Sequence, residues 1–483
     1  MRIIKKFLLI FLLPISFSAN LQSQNWTEPV NVSNLTGQDR MPDITIDTYN
    51  VIHCVWVHDY ELNFSKIFYS KSSDEGATWS TPQNISQNNE KRVDNPRIVA
   101  DSNNRLLVTY DYNVGDPANT KILMKINDGF SWSLADTITP DMPGSRQSKL
   151  VLDNNNRLYC FWYHDINNGT SFYKYFENDI WSETITVLSG NNYFALVKGV
   201  CDPTNKIHCI AKYHAEGENH NKDRLIYLTM NNNFWYPFEE ISAPTESPGQ
   251  DIDIDSDNLP HVAYRQKSPV SPPFEDSTVY IHFDGNSWTE PELVVEDPYH
   301  QKIAIDENNK LNIFDIEKTE NGCMLVHHYK TNFRWEGYII DESIWNTIHY
   351  AIYHHNQQLN AVFLRQGLND DPEIFFSKSD IVSPVNEEKL ISDFDDFKIF
   401  PNPFYNWSTI CFTLNIPSFV EVKIYTFQGQ LIKTLVSEKK EMGSYQCLWD
   451  GNDHNGKEVE SGLYLVRLQS GRNILTRSVE FIK

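Results

Sequence analysis

The sequence predicts an all-β chain: a seven-bladed β-propeller whose N-terminal strand closes the last blade, followed by a small antiparallel β-sandwich. A tryptophan-led strand that recurs seven times and an Asp-anchored turn that recurs in step with it predict the propeller. A change of pattern after Lys378 predicts the second domain.

The tryptophan strand begins at Trp26, Trp79, Trp132, Trp181, Trp235, Trp288 and Trp335, at spacings of 47–54 residues. The turn motif is an apolar strand, an Asp, a polar turn and a second apolar strand. Its anchors are Asp47, Asp101, Asp153, Asp202, Asp255, Asp306 and a degenerate His354. Asp and Asn suit such turns because their side chains bond the local backbone and tolerate left-handed conformations. A third apolar strand lies between the two motifs. Each unit therefore holds four short strands in about 50 residues, the size of a propeller blade.

The phase of the repeat predicts how the ring closes. The Trp26 strand precedes any complete unit, and the last third strand, around residues 373–378, has no tryptophan strand after it. The N-terminal segment is therefore expected to supply the outer strand of blade seven, which removes an open sheet edge. The propeller is expected to span 25–380, with a linker over 381–396 and the second domain over 397–483.

Composition narrows the function classes. The chain has 483 residues, with 41 basic against 64 acidic, for a formal net charge of −23. Such a charge repels phosphate backbones and argues against a nucleic-acid partner. Residues 1–22 read as a signal peptide, with Lys5 and Lys6 before an apolar run over 7–17 and small residues at Ser16, Ser18 and Ala19. That run is shorter than the roughly 20 residues needed to span a bilayer. The mature chain is expected to lack a transmembrane segment and to be secreted or held at the outer cell surface. Seven cysteines give no complete disulfide framework. Cys54, Cys160 and Cys209 share one repeat position and read as buried core, and Cys411 and Cys447 are expected to stay unpaired.

Residues 397–483 carry Pro401-Asn402-Pro403, Ile424-Tyr425, Gly429-Gln430, Trp449-Asp450-Gly451, Asn455-Gly456 and Ser461-Gly462-Leu463-Tyr464. In that order they resemble the type A sorting domains of the type IX secretion system, which are similar to the flagellar-hook-capping Ig-like fold. The resemblance implies an Ig-like sandwich, a partner in the type IX secretion machinery and a Bacteroidetes-type bacterium.

In the propeller, Ser72, Asp74, Gly76 and Trp79 form an Ser-x-Asp-x-Gly-x-Thr-Trp segment that resembles the Asp-box (BNR repeat) of sialidase-like propellers. There it is a structural turn away from the central pocket. Arg40-Met41-Pro42 is similar to the Arg-x-Pro that carries one carboxylate-binding arginine of sialidases. The chain departs from that family in its seven blades, in a second arginine, Arg146, at the same repeat position, and in lacking a Tyr-Glu pair that a motif can place.

In such propellers, the loops entering the inner strands and leaving the second strands share one face. That rule nominates Arg40, His58, Asp59, Arg92, Arg146, His164, Asp165, His214, Arg265, His300 and Arg365 as ligand-binding residues. Arginines hold carboxylates bidentately, and imidazoles serve as acid or base. The His58-Asp59 and His164-Asp165 pairs suggest carboxylates orienting imidazoles. No catalytic residue is assigned.

Other signals are expected to be scaffold. Asp251-x-Asp253-x-Asp255-x-Asp257 lacks the Gly and terminal Glu of an EF-hand. His53, His208 and His261 recur by repeat. His327-His328 and His354-His355 point their members to opposite strand faces. No metal or cofactor is expected. The leading expectation is a propeller that binds an acidic glycan. A glycoside hydrolase or polysaccharide lyase is the first alternative, and a protein-binding adhesion module the second.

Overall fold

The computed structural model describes residues 26–483, except 62–63, 87–90, 165–168, 189–191, 219–222, 245–248, 267–276, 297–298, 307, 320–321, 331–334, 345–348, 368–370, 380–393, 415–417, 427–429 and 471–472. The expected signal peptide and most of the expected linker lie outside these residues. The chain divides into two compact units, 1–382 and 383–483.

The first unit is a seven-bladed propeller. Blade 1 runs Gln38–Ile46, Ile52–Glu61, Phe64–Ser72 and Gln83–Asn84, each strand bonded to the next. Blades 2 to 6 repeat the order, with inner strands Val93–Ala100, Ser145–Leu152, Tyr193–Cys201, Gln250–Ile254 and Lys302–Ile305. Blade 7 contains Tyr350–His355, Gln358–Gln366 and Pro372–Lys378, and its outer strand is Val30–Asn31. Val30 stands opposite Phe376, Asn31 opposite Phe375, and Trp26 bridges Ser379. The ring thus closes by the N-terminal strand, as the phase of the repeat requires. Blades 6 and 7 also share one ladder pair, Ile344 with Arg365, so their strands form a continuous sheet.

The turn chemistry explains the repeat. The Asp47 carboxylate accepts the N–H groups of Tyr49 and Val51, both at 2.9 Å. Asp101, Asp153, Asp202, Asp255 and Asp306 do the same in their blades. The third residue after each of these anchors is an Asn in the left-handed region, from Asn104 at φ 59° to Asn156 at φ 67°. Several of these Asn side chains also reach the preceding blade. Thr48 N–H donates to Asn104 at 2.9 Å, Ser102 to Asn156 at 2.8 Å, Asn154 to Asn205 at 2.9 Å and Ser256 to Asn309 at 2.9 Å. His355 of blade 7 meets Asn50 of blade 1 at 2.8 Å, continuing the series across the closure.

His53, His208 and His261 each bridge the turn Asp to a tyrosine of the third strand. The Tyr partners are Tyr69 at 2.8 Å, Tyr227 at 2.6 Å and Tyr280 at 2.6 Å. Burial lowers all three imidazole pKa values. They are scaffold.

The repeat tryptophans lie half-buried between blades rather than inside a closed core. Trp132 packs on Tyr69, Trp235 on Phe161, Trp288 on Tyr227, Trp335 on Tyr280 and Trp26 on Phe314, each an aromatic of the preceding blade. Cys54, Cys160 and Cys209 are fully buried in the core. In the Asp-box, Ser72 donates to Asp74 at 2.8 Å, and the Ser72 hydroxyl accepts the Gly76 N–H at 2.9 Å. Asp74 accepts the Thr78 N–H at 2.9 Å.

The second unit is an Ig-like sandwich. One sheet holds Phe394–Phe400, Ser408–Leu414 and Gly443–Trp449. The other holds Leu431–Lys440, Ser418–Thr426, Gly462–Ser470 and Asn473–Phe481. Phe412, Val422, Ile424, Trp449 and Val466 fill the space between them. The first strand starts at Phe394, three residues inside the expected linker. Cys447 stands opposite Ile410 and Cys411 opposite Gln446, so adjacent positions send the two thiols to opposite faces.

Candidate functional site

The inner strands build the site by breaking their own register. Slips lie between Arg40 and Asp43, Asp94 and Arg97, and Arg146 and Lys149. At each slip a non-glycine residue takes positive φ, with Met41 at 54°, Asn95 at 48° and Gln147 at 57°. Such bulges bend a strand and re-aim the side chains beside them. Two of them converge on Asp111, whose carboxylate accepts the Asn95 amide at 2.8 Å and the Gln147 N–H at 3.0 Å. Burial pushes the Asp111 pKa up to about 7.

A charged layer lies along the innermost strands. Four residues before the seven turn anchors stand Asp43, Arg97, Lys149, Lys198, Asp251, Lys302 and Tyr350. The charges of Lys302 in blade 6 and Asp43 in blade 1 both act on Lys149 of blade 3, so the layer is coupled electrostatically between blades. Burial, with the charges of Arg97 and Lys302, lowers its pKa to about 7. The carboxylates of this layer are engaged: Asp43 accepts the Ile98 N–H at 2.9 Å, and Asp251 pairs with Lys198 at 2.7 Å. Asp253 accepts the Ile305 N–H at 2.8 Å, and Asp255 serves its turn, so the acidic run is used by the fold.

Two imidazoles stand beside this layer. Burial lowers the His300 pKa to about 4, and the charges of Lys302, His349, Arg265 and Lys212 add to the effect. His349 is also lowered to about 4, by burial and then by Arg40. Both rings are therefore neutral at neutral pH while surrounded by cations. The Tyr350 hydroxyl donates to the His300 carbonyl at 2.7 Å and fixes that backbone. Arg265 lies 5.7 Å over the Tyr299 ring, and Lys318 lies 4.4 Å over the same ring.

Among the nominated residues, the fold brings Arg265 and His300 together. It adds Lys212, Lys302 and His349, which the sequence reading had not chosen. For Lys302 the signal was a charge at one repeat position of the inner strands; Lys212, on a second strand, and His349, just before the inner strand of blade 7, carried none. Arg40 is engaged within the scaffold: its guanidinium pairs with Asp59 at 2.6 Å and also with Asp94 of blade 2. The His58-Asp59 pair does not form. Neighbouring strand residues point to opposite faces, and His58 instead meets Asp39 across the ladder at 2.7 Å.

His164 reaches the Pro143 carbonyl at 3.0 Å, and Asp165 lies outside the described residues. His214 pairs with Asp223 at 2.7 Å and stacks on Tyr193 with ring centroids 4.4 Å apart. Arg146 lies 5.8 Å over Tyr163. Arg365 leans on Phe375 and stands 3.5 Å from Asp341. Arg92 is half-buried, and its carbonyl accepts the Val114 N–H at 3.1 Å.

Comparison with known proteins bears on both units. The FlgD Ig-like domain family matches residues 408–473. No curated protein matches the chain in sequence. Among solved structures, the propeller is similar to a PL25 ulvan lyase, with a TM-score of 0.52 and 10% identity over 72% of this chain and 95% of that one. It is also similar to the polysaccharide lyase Uly1, with a TM-score of 0.50 and 8% identity over 76% of this chain and 94% of that one. At these identities the likeness is one of fold. Among the described residues no helix is long and apolar enough to cross a membrane.

Proposed function

We propose that the propeller is a polysaccharide lyase that cleaves a uronate-containing glycan by β-elimination. The observation that carries this reading is Arg265 seated 5.7 Å over the ring of Tyr299, the neighbour of His300, whose backbone Tyr350 holds; burial and the charges of Lys302, Arg265 and Lys212 lower the His300 pKa to about 4 and keep its imidazole neutral. Elimination needs those two features side by side. Cations neutralise the uronate carboxylate and make the adjacent C5 proton removable. A neutral base takes that proton. The C5–H electron pair then forms the C4–C5 double bond, the C4–O bond breaks, and the departing oxygen takes a proton from water, while the imidazolium formed on His300 returns its own to solvent. In this reading Arg265 and Lys212 hold the carboxylate and His300 is the base.

The carboxylates point the same way. Hydrolysis by the common route uses two carboxyl groups flanking the scissile bond. Here Asp59 and Asp94 serve Arg40, Asp251 serves Lys198, and Asp111 is closed in by Asn95 and Gln147. Two propellers of similar fold named as polysaccharide lyases support an enzyme over the plain glycan binder that the sequence first suggested.

The test is a panel of neutral, uronate-containing and sulfated polysaccharides, read by the ultraviolet absorbance of unsaturated ends and by reducing-end release. Both signals with a uronate glycan support the lyase. Reducing ends without absorbance would make it a hydrolase, and binding without either would make it a lectin.

We further propose that the chain is exported, with 1–22 removed as a signal peptide and 397–483 read by the type IX machinery. Mass spectrometry of culture medium and cell-surface fractions tests this. Full-length chain confined to the cytoplasm would refute it.

A further inference from the structure

Blade 6 buries a charge where the other blades bury apolar groups. Nine residues after the turn anchor stand Trp56, Tyr110, Trp162, Tyr264 and Phe363 in five blades, and Ala211 in another. Blade 6 has Asp315 there, with none of its surface exposed. An unpaired carboxylate in such a place costs several kcal/mol, roughly, so it calls for a compensating group.

The neighbours of Asp315 form a donor set. Glu317 is two residues on, on the same strand face. His328 comes from the adjacent third strand and is itself buried. Its Nε2 lies 3.3 Å from Asp315 Oδ1 and 3.4 Å from Glu317 Oε1, and the three donor atoms all fall within 4.8 Å of one another. A charge-assisted hydrogen bond is shorter, about 2.7–2.9 Å, as in His58–Asp39 and His214–Asp223, both at 2.7 Å; the turn imidazoles His53, His208 and His261 stand 3.1–3.3 Å from one Asp each and bond a tyrosine as well, whereas a single His328 nitrogen faces two carboxylates. Ligands at about 2.0–2.1 Å from a tetrahedral Zn²⁺ are separated by about 3.3–3.4 Å. Charge leads to the same place: two carboxylates against one imidazolium leave one negative charge over, and a divalent ion with a neutral imidazole leaves none.

We propose that Asp315, Glu317 and His328 bind one divalent transition-metal ion of the Zn²⁺ class, with water completing the tetrahedron. One nitrogen and two carboxylate oxygens suit such an ion better than Ca²⁺, which takes six or more oxygens. The ion braces a wall of the candidate site. The Ile316 carbonyl, between two of the ligands, accepts the Tyr299 N–H at 3.0 Å. Thr278, opposite Arg265 in its ladder, has its hydroxyl 3.4 Å from Asp315. The assignment stands on the donor geometry and does not depend on the lyase reading.

The experiment uses the full chain, stripped with chelator and then titrated separately with Zn²⁺, Ca²⁺ and Mg²⁺. Bound metal is counted by elemental analysis and stability is read by thermal melting. Expected are one equivalent of Zn²⁺, a rise in Tm, and no comparable effect of Ca²⁺ or Mg²⁺. Glu317→Gln, at the most exposed ligand, is expected to weaken Zn²⁺ binding at least tenfold, and His328→Gln to abolish it. If His328→Gln does not fold, Glu317→Gln decides. A stripped chain that takes up no Zn²⁺ would overturn the proposal and leave His328 as an imidazolium shared by two carboxylates. Undiminished uptake by Glu317→Gln would overturn it equally.

Discussion

The indole of Trp79 meets the ring of Phe376 edge-on at 5.5 Å, joining the outer edge of blade 1 to the third strand of blade 7. Gly76 of the Asp-box leans on the same ring at φ +87°, and a Cβ added there would lie 2.0 Å from Phe376 Cε1. Gly76→Ala therefore combines backbone strain with a clash at the seam, at a cost of at least about 1–3 kcal/mol. Thermal melting of Gly76→Ala is expected to show a lower Tm, partly restored by adding Phe376→Leu. An unchanged Tm would mean that the seam is looser than described.

The closing strand leads to a second prediction. Val32 is buried, its N–H donates to the Ile374 carbonyl at 2.8 Å, and the Ser33 hydroxyl accepts the Ile374 N–H at 3.0 Å. Removing the chain through Ser33 opens an edge on blade 7 and uncovers its apolar face. The truncated protein is expected to melt lower and less sharply. A melting curve equal to that of the parent would contradict closure by this strand.

Arg265 and Arg365 were nominated together by sequence, and they should now behave differently. Arg265→Ala and His300→Ala are each expected to lower kcat/KM on a cleaved uronate glycan by about 10²–10⁴. Arg365→Ala, whose guanidinium stands by Asp341 and Phe375, is expected to stay within about threefold. Equal losses in Arg265→Ala and Arg365→Ala would move the site toward blade 7.

The acid limb of the pH profile follows from His300. Its pKa is lowered to about 4, so the imidazole is neutral and able to accept a proton above that value. Activity is expected to rise through about pH 4 and to hold level toward neutrality on that limb. An unshifted histidine would place the limb near pH 6.5. A limb at pH 6–7 in kcat/KM would exclude His300 as the base.

Asp111 has a stability signature of its own. Its native pKa is raised to about 7 against 3.8 for the free group, so the native state holds a proton that the unfolded chain releases. That contribution is whole below about pH 4 and is lost as pH rises to about 7, amounting to at most about 4 kcal/mol. Asp111→Asn removes the titration. Its Tm relative to the parent should improve between pH 4 and pH 8, and a pH-independent difference would exclude the shift.

The blades, their phase and the closing strand were legible because each rests on local chemistry repeated seven times. An Asp that caps a turn and a Trp that packs on its neighbour leave the same mark in every unit. The scaffold roles of His53, His208 and His261 could be read for the same reason. The site was legible only in part. Arg265 and His300 of the proposed site carry the same chemistry as Arg40 and His58, which the fold pairs with Asp59, Asp94 and Asp39. Which carboxylates Arg40 meets follows from the register slip at Arg40/Asp43, which no local pattern announces. His349 was overlooked because it precedes the inner strand of blade 7, whose turn anchor His354 is the most degenerate of the seven.

The asparagines that follow the turn anchors have a last consequence. In the pairs described, each one meets a group of the blade before it, and Asn50 meets His355 of blade 7. A linear array of repeats can unzip from a free terminus one unit at a time. Among the described residues five of the seven seams carry such a latch, and the seam between blades 7 and 1 is one of them, so the first and last blades hold each other and neither is a free end. Such a ring gives a protease little to start on at either end of the propeller.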